Sequence, residues 1–420
     1  MDIFLLATLT CLVIATIGYA INKYLRMPWM FTVVVFGMAL SGLGLFHGVM
    51  TSETFRFLSK MGMLFFLFTI GIDLELEQIR KLGRYIVGGD ILLTLTEGFL
   101  LALFFYFVFP EFVSNSFIVA LIAGIAFGTV GEVVLLAILK EFGLEKTRFG
   151  QLALGIGVFD DIFEVLALAL VIALPALSAG GSHNAASQSS LTIVLTLSGI
   201  LLVTILLSQV GKVTRRYLER VQNESFVIPF LIFMIIFAFI YFGSRGFENM
   251  GVIAAIFSGI AVKQVLPEKF VQQYKKPIFF VGNIFLGPFL FLGLGGAISL
   301  NALLTYPLLI LIIIAISLLS RLLVSYLLFQ KILGKRQSLV MGVGLTAKFS
   351  TSMVSENLLF SSGLIAQPLY SAIMSAFIIL KPIIVGVFAR SLAMIKDTIQ
   401  QDATMDAISV KTQKKEGEEK

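Results

Sequence analysis

Charge is what this sequence has least of. Only 13% of its 420 residues are Asp, Glu, Lys or Arg, against 58% that are hydrophobic. Soluble domains carry roughly 25% charged residues, so a soluble fold is excluded and a polytopic membrane protein is expected. Cysteine is nearly absent as well. The single one, Cys11, excludes an intrachain disulfide and a cysteine-rich metal centre. The two histidines, His47 and His183, fall in expected connections and are assigned no chemistry. No glycine-rich phosphate loop occurs, and no polar run is long enough for a soluble domain. The longest outward connection, residues 178–190, reads SAGGSHNAASQSS, a flexible linker. The first apolar run begins at Asp2 without a basic start, so no cleaved leader is expected. The net charge of +6 is expected to report topology, not nucleic-acid binding.

Apolar runs fill the space that charge leaves. Thirteen are expected to form spans, at residues 3–21, 29–43, 61–72, 85–109, 116–139, 149–177, 191–210, 226–242, 250–262, 277–300, 306–330, 339–359 and 364–388. A helix of about 20 apolar residues crosses a bilayer. With the N-terminus outside, 25 of the 31 Lys and Arg fall on inward connections or the C-terminal tail. Arg56, Lys60 and Arg245 lie outward, and Arg321, Lys348 and Lys381 lie within spans. That bias is the positive-inside pattern, and it requires an odd count of spans. The expected fold is an all-α polytopic membrane protein of about 13 transmembrane helices over residues 1–388. Spans one to six and eight to thirteen overlay as two halves, the seventh linking them. Residues 389–420 are expected to form a short polar cytoplasmic tail that frays from helix into disorder.

Asp160 and Asp161 sit side by side in the sixth run, GVFDDIFEV. Ionised carboxylates at that depth cost several kcal/mol, so the pair is expected to bind a counter-charge, a proton or a metal cation. Glu164, one turn beyond Asp160, is expected to face the same cavity. The fifth run is interrupted at Gly128-Thr129-Val130-Gly131, with Glu132 following. The twelfth is interrupted around Lys348, among Thr346, Ser350, Thr351 and Ser352. Either alone reads as ordinary helix packing. Together, one in each half and each beside a buried charge, they point to a transporter site at two crossing broken helices. Arg321 requires a carboxylate partner and is assigned to Asp160, leaving Asp161 free to exchange ions. Lys348 is paired with Glu132. Lys381 either reaches the site or extends to the inner surface. Asp90 and Glu97, two turns apart on one face, line an access funnel or an interface. Asn283 is expected to pack helices.

These residues resemble the monovalent cation:proton antiporters of the Kef/NapA type, related in fold to NhaA. The likeness rests on GVFDDIFEV, FGTVGEVVLLAIL, FLFTIGIDLELEQI and FVGNIFLGPFLFLGLGGAI, and covers about residues 1–390. It implies two inverted repeats with two interrupted crossing helices. Spans four to six and eleven to thirteen would form a core, and spans one to three and eight to ten a scaffold that forms a homodimer. It implies that Asp161 binds sodium or potassium in competition with the proton, that Arg321 holds Asp160, and that Thr129 lies beside the site. No cofactor beyond the transported ions is implied, and the location is the cell membrane. The sequence departs from the family pattern in the twelfth span. Pro-Arg-Gly-Glu is common there, whereas Ala347-Lys348-Phe349-Ser350 occurs here, so the acid is lost and Glu132 is its expected replacement.

The first alternative is a sodium-coupled symporter of an organic anion, which the adjacent aspartates disfavour. An intramembrane aspartyl protease brings acids from two helices together, whereas these two are neighbours pointing about 100° apart on one helix. No enzymatic activity is therefore expected. A passive channel is disfavoured by the buried charge pairs.

Overall fold

The structure is a computed structural model of the chain. It describes residues 2–73, 83–160, 226–245, 250–348 and 351–418, with isolated residues between 163 and 215; side chains 132–134 and those after 400 lie outside it. Among the described residues every regular element is helical. In order these are α1 (Ile3–Leu25), α2 (Trp29–Gly42), α3 (Glu53–Asp73), α4 (Arg84–Val108), α5 (Phe117–Phe127), α6 (Glu132–Phe142) and α7 (148–160). Then come α8 (Val227–Ser244), α9 (Met250–Val265), α10 (Glu268–Gly296), α11 (Pro307–Leu333), α12 (Lys335–Leu345), α13 (Thr351–Ser361) and α14 (Gln367–Glu418). Among the described residues seven helices are long and apolar enough to cross a membrane, and α2, α5 and α9 are shorter apolar helices. The chain is a multi-pass membrane protein. The seventh expected span, and the sixth beyond residue 160, fall largely outside the described residues.

The chain divides into two compact units. The first comprises Met1–Glu75, Val165–Ala302 and Asn357–Ser371. Its interior is built by aromatic and β-branched side chains on facing helices. Phe65, Phe68 and Ile72 of α3 pack with Ile228, Ile232 and Ile236 of α8 and with Ala254 and Ala261 of α9. Asn283 lies in a π-helical turn, Phe280–Leu286, with its side-chain oxygen 3.5 Å from the Thr69 hydroxyl. That placement is the helix-packing role expected of it. The ion pair between Lys275 and Asp73, 2.5 Å, is half exposed, and such pairs contribute little to stability.

The second unit comprises Leu76–Glu164, Leu303–Glu356 and Ala372–Lys420. Helices α4 and α5 approach closely because glycine faces glycine. A Cβ built on Gly124 would sit 2.3 Å from the Gly98 carbonyl oxygen, and one on Gly98 would meet Ile125 at 2.8 Å. Only hydrogen fits at either position. Since α4 and α5 both contribute to the site described below, Gly124→Val should separate them. The expected cost is about 1–3 kcal/mol from overpacking, read as a lower melting temperature in detergent. An unchanged melting temperature would contradict this packing.

Helix α14 continues unbroken to Glu418. Leu392, Ile395 and Ile399 are buried and join the apolar core formed by Leu139, Leu144 and Phe149. Their spacing makes one helical stripe, which the polar composition of the segment as a whole conceals.

Candidate functional site

The two interruptions expected from sequence are present, and they meet. Helix α5 stops at Phe127 and α6 starts at Glu132, leaving 128–131 as a break between the two. Helix α12 stops at Leu345 and α13 starts at Thr351. The Gly131 amide donates to the Ala347 carbonyl at 2.6 Å, joining one break to the other. The Thr129 hydroxyl also hydrogen-bonds the Ser352 hydroxyl at the start of α13. Broken backbone in a membrane must find partners inside the protein, and here each break supplies the other.

Asp160 is fully buried at this crossing. Its Oδ2 accepts the Val130 amide at 2.6 Å, and its Oδ1 lies 3.4 Å from the Thr94 hydroxyl of α4. An acid at the start of a half-helix is favoured by the free amides and partial positive charge there. Asp161 and Glu164 lie outside the described residues. Thr129 is buried beside Asp160, one residue from the amide that holds it.

The charge partners differ from those expected. Arg321 does not pair with Asp160. Its Nε meets Glu97 Oε2 at 2.6 Å, and its Nη2 lies 3.5 Å from the Thr94 hydroxyl. Lys348, whose expected partner Glu132 has its side chain outside the described residues, also reaches Glu97. Its Nζ meets Glu97 Oε1 at 2.6 Å and donates to the Phe127 carbonyl at 2.8 Å. Glu97, on α4, thus holds both cations, one on each oxygen. The physical reason is reach. Lys348 lies at the free C-terminal end of α5, where a carbonyl and the partial negative charge of the half-helix favour an ammonium group. From there its flexible stem turns to α4. All three groups are buried, with Glu97 and Arg321 at 0% exposure and Lys348 at 2%. Sequence reasoning placed Glu97 in an access funnel or at an interface. The signal that would have found it is the missing acid of the twelfth span, which leaves Lys348 and Arg321 in need of a carboxylate from elsewhere.

Lys381 is 2% exposed, so it does not extend to the membrane surface. Glu356 on α13 is a further buried acid, and neither carboxylate oxygen has a hydrogen-bond partner among the described residues. Sequence reasoning did not single it out.

Two broken helices crossing at a buried acid, with buried cations balanced on a neighbouring helix, define the class as a membrane transport fold. The chain belongs to the sodium/hydrogen exchanger family, whose transmembrane model matches residues 12–394. It is similar to the probable Na(+)/H(+) antiporter 3 of Methanocaldococcus jannaschii, 23% identical over 373 residues, covering 86% of this chain and 91% of that one. It is also similar to the Na(+)/H(+)-K(+) antiporter GerN of Bacillus cereus, 25% identical over 354 residues, covering 82% and 84%. Its fold is similar to the solved structure of the sodium proton antiporter MjNhaP1 from Methanocaldococcus jannaschii. The TM-score is 0.59 at 15% identity, over 94% of this chain and 96% of that one. The family and the fold agree with the resemblance carried by the sequence motifs.

Proposed function

We propose that this protein is a secondary antiporter that exchanges a monovalent metal cation, sodium or potassium, for protons. Asp161 and Asp160 form the ion-binding pair, and Thr129 contributes a hydroxyl oxygen at the crossing. The observation that carries this reading is the Val130 amide held by Asp160 where the two broken helices meet. An acid so placed, with hydroxyl and carbonyl oxygens around it, suits a hard cation. A carboxylate takes a proton or a metal ion in turn, and alternating access delivers each form to the opposite side. Glu97 pairs with both Arg321 and Lys348 and directs them away from the aspartates. Apart from residues 357–371, and 165–177 of the sixth span, the two compact units follow the chain segments that the family resemblance assigns to scaffold and core, which supports a core that presents the site to each side in turn. The protein is read as a homodimer in the cell membrane, with the N-terminus outside and the C-terminus cytoplasmic, without enzymatic activity or a resident cofactor.

Proteoliposomes with an inward-acid pH gradient and an internal pH dye test the reading. Sodium, potassium, lithium or choline is added outside in turn. Dissipation by a metal cation and not by choline is the expected result, and it names the ion. Absence of response to every cation across a pH range overturns antiport, and uptake of labelled organic acids then tests the symporter alternative.

A further inference from the structure

We infer that Glu356 on α13 is a second binding site for the transported proton, separate from the aspartate pair. The inference rests on the antiporter reading above. Glu356 lies in the half-helix that follows the break, one turn beyond Ser352. Ser352 hydrogen-bonds Thr129 at the crossing, which fixes where its side of the helix points. At about 100° per residue, Ser352, Ser355 and Glu356 fall within an arc of about 100°, on one face of α13. Met353 and Val354 fall outside that arc and are apolar. All five are buried, none more than 1% exposed. A polar side therefore runs along α13 from the crossing to Glu356, within an apolar setting.

Partners run out along that side. Among the described residues, neither oxygen of Glu356 has a hydrogen-bond partner, and the Ser355 hydroxyl has none either. No ion pair reaches Glu356 from Arg321, Lys348 or Lys381, the buried cations of the same unit. Arg321 and Lys348 both end on Glu97. Two other acids show how this fold keeps a carboxylate ionised. Glu97 accepts from two cations, and Asp160 accepts the Val130 amide at the break. Glu356 has neither kind of support. An ionised carboxylate buried without counter-charge or donor is among the costliest groups in a membrane interior, and a protonated one is far cheaper. A proton also suits the place better than a metal ion. A hard metal cation takes about six oxygens, whereas the Glu356 carboxyl and the Ser355 hydroxyl offer half that number. Glu356 therefore holds a proton in this conformation. Its step is a plain acid–base exchange. The carboxylate takes one proton from water on one side, becomes a neutral acid, and returns the proton to water on the other. On the opposite leg, the metal ion at the crossing supplies the charge that offsets the ionised acid.

The test uses the full chain, with one variant and two readouts. Glu356→Gln keeps the shape and the neutrality of the protonated acid and cannot release a proton. Its melting temperature in detergent should match that of the wild type. The second readout is the coupling ratio in proteoliposomes, with the membrane potential held at zero. A sodium or potassium gradient is imposed, and an internal dye reports the pH gradient at which net proton flux stops. That balancing pH gradient should be about twice as large in Glu356→Gln, because one proton per cation replaces two. An unchanged ratio with unchanged stability shows an acid that is neutral but takes no part in transport, and overturns the inference. A large fall in melting temperature shows that Glu356 was ionised and needed its charge, and overturns it equally. Complete loss of exchange in a folded variant also overturns it, since the aspartate pair should still exchange its own proton. Failure of the antiporter reading looks different, because the wild type would then show no cation-driven proton flux at all.

Discussion

Glu97→Ala should be among the most destabilising single substitutions in the protein, at about 3–5 kcal/mol, the range for removing one partner of a buried ion pair. Glu97 is the carboxylate on which two buried cations rest, Arg321 and Lys348, each at 2.6 Å. Arginine stays protonated under all physiological conditions, so Arg321 cannot escape the loss by shedding its charge. Its only remaining contact of those above is the Thr94 hydroxyl at 3.5 Å. Lys348 retains the Phe127 carbonyl, a weaker partner than a carboxylate. The two cations would also repel each other across the vacated site. Melting curves of detergent-solubilised protein measure the loss. A second substitution, Lys348→Met in the Glu97→Ala background, should recover part of it by removing one unpaired charge, and the double-mutant cycle isolates the coupling. A Glu97→Ala protein that melts with the wild type would show that Glu97 does not hold these two groups.

Asp161→Asn should abolish cation-coupled proton exchange and leave the melting temperature close to that of the wild type. An amide keeps the size of the carboxyl and loses both its charge and its ability to exchange a proton for a metal ion. Asp160→Asn should also lose exchange, for a reason visible in the structure. The amide oxygen still accepts the Val130 amide, which preserves the crossing, but the negative charge facing Thr94 is gone. The contrast with Glu97→Ala is diagnostic. The aspartate variants separate transport from folding, whereas the Glu97 variant couples them. Exchange at the wild-type rate in Asp161→Asn would remove that residue from the ion-binding pair.

Much of this protein was legible in the sequence because the relevant physics is local. A bilayer leaves no water for backbone groups, so apolar runs of spanning length must become helices whatever surrounds them. Gly128 and Gly131, and the polar run around Lys348, weaken helix where they stand, and the breaks fall at those places. That the breaks belong together followed from their matching positions in the two halves, and the bond from Gly131 to Ala347 joins them. The cost of burying charge in lipid singled out Asp160, Arg321 and Lys348 without any knowledge of their neighbours, and all three are buried.

Which acid answers which cation was decided only by the tertiary structure. Glu97 and Arg321 are 224 residues apart, and Glu97 and Lys348 are 251 apart. In the sequence, Glu97, Glu132 and Asp160 are alike in each being an acid within an apolar run. Nearness to a break favoured Glu132 and nearness to the hallmark pair favoured Asp160, but chain proximity does not govern a contact made between helices. The close approach of α4 to α5 through Gly98 and Gly124 brings Glu97 into reach of both cations. The helical tail followed the same rule. Leu392, Ile395 and Ile399 count for little in the composition of a polar segment, and become a packing surface only where an apolar core lies ready to receive them. Sequence determined where charge and broken helix had to be buried, because lipid imposes that on every residue separately. Partnership among the buried groups was decided by helix packing, because it depends on distances that no local pattern encodes.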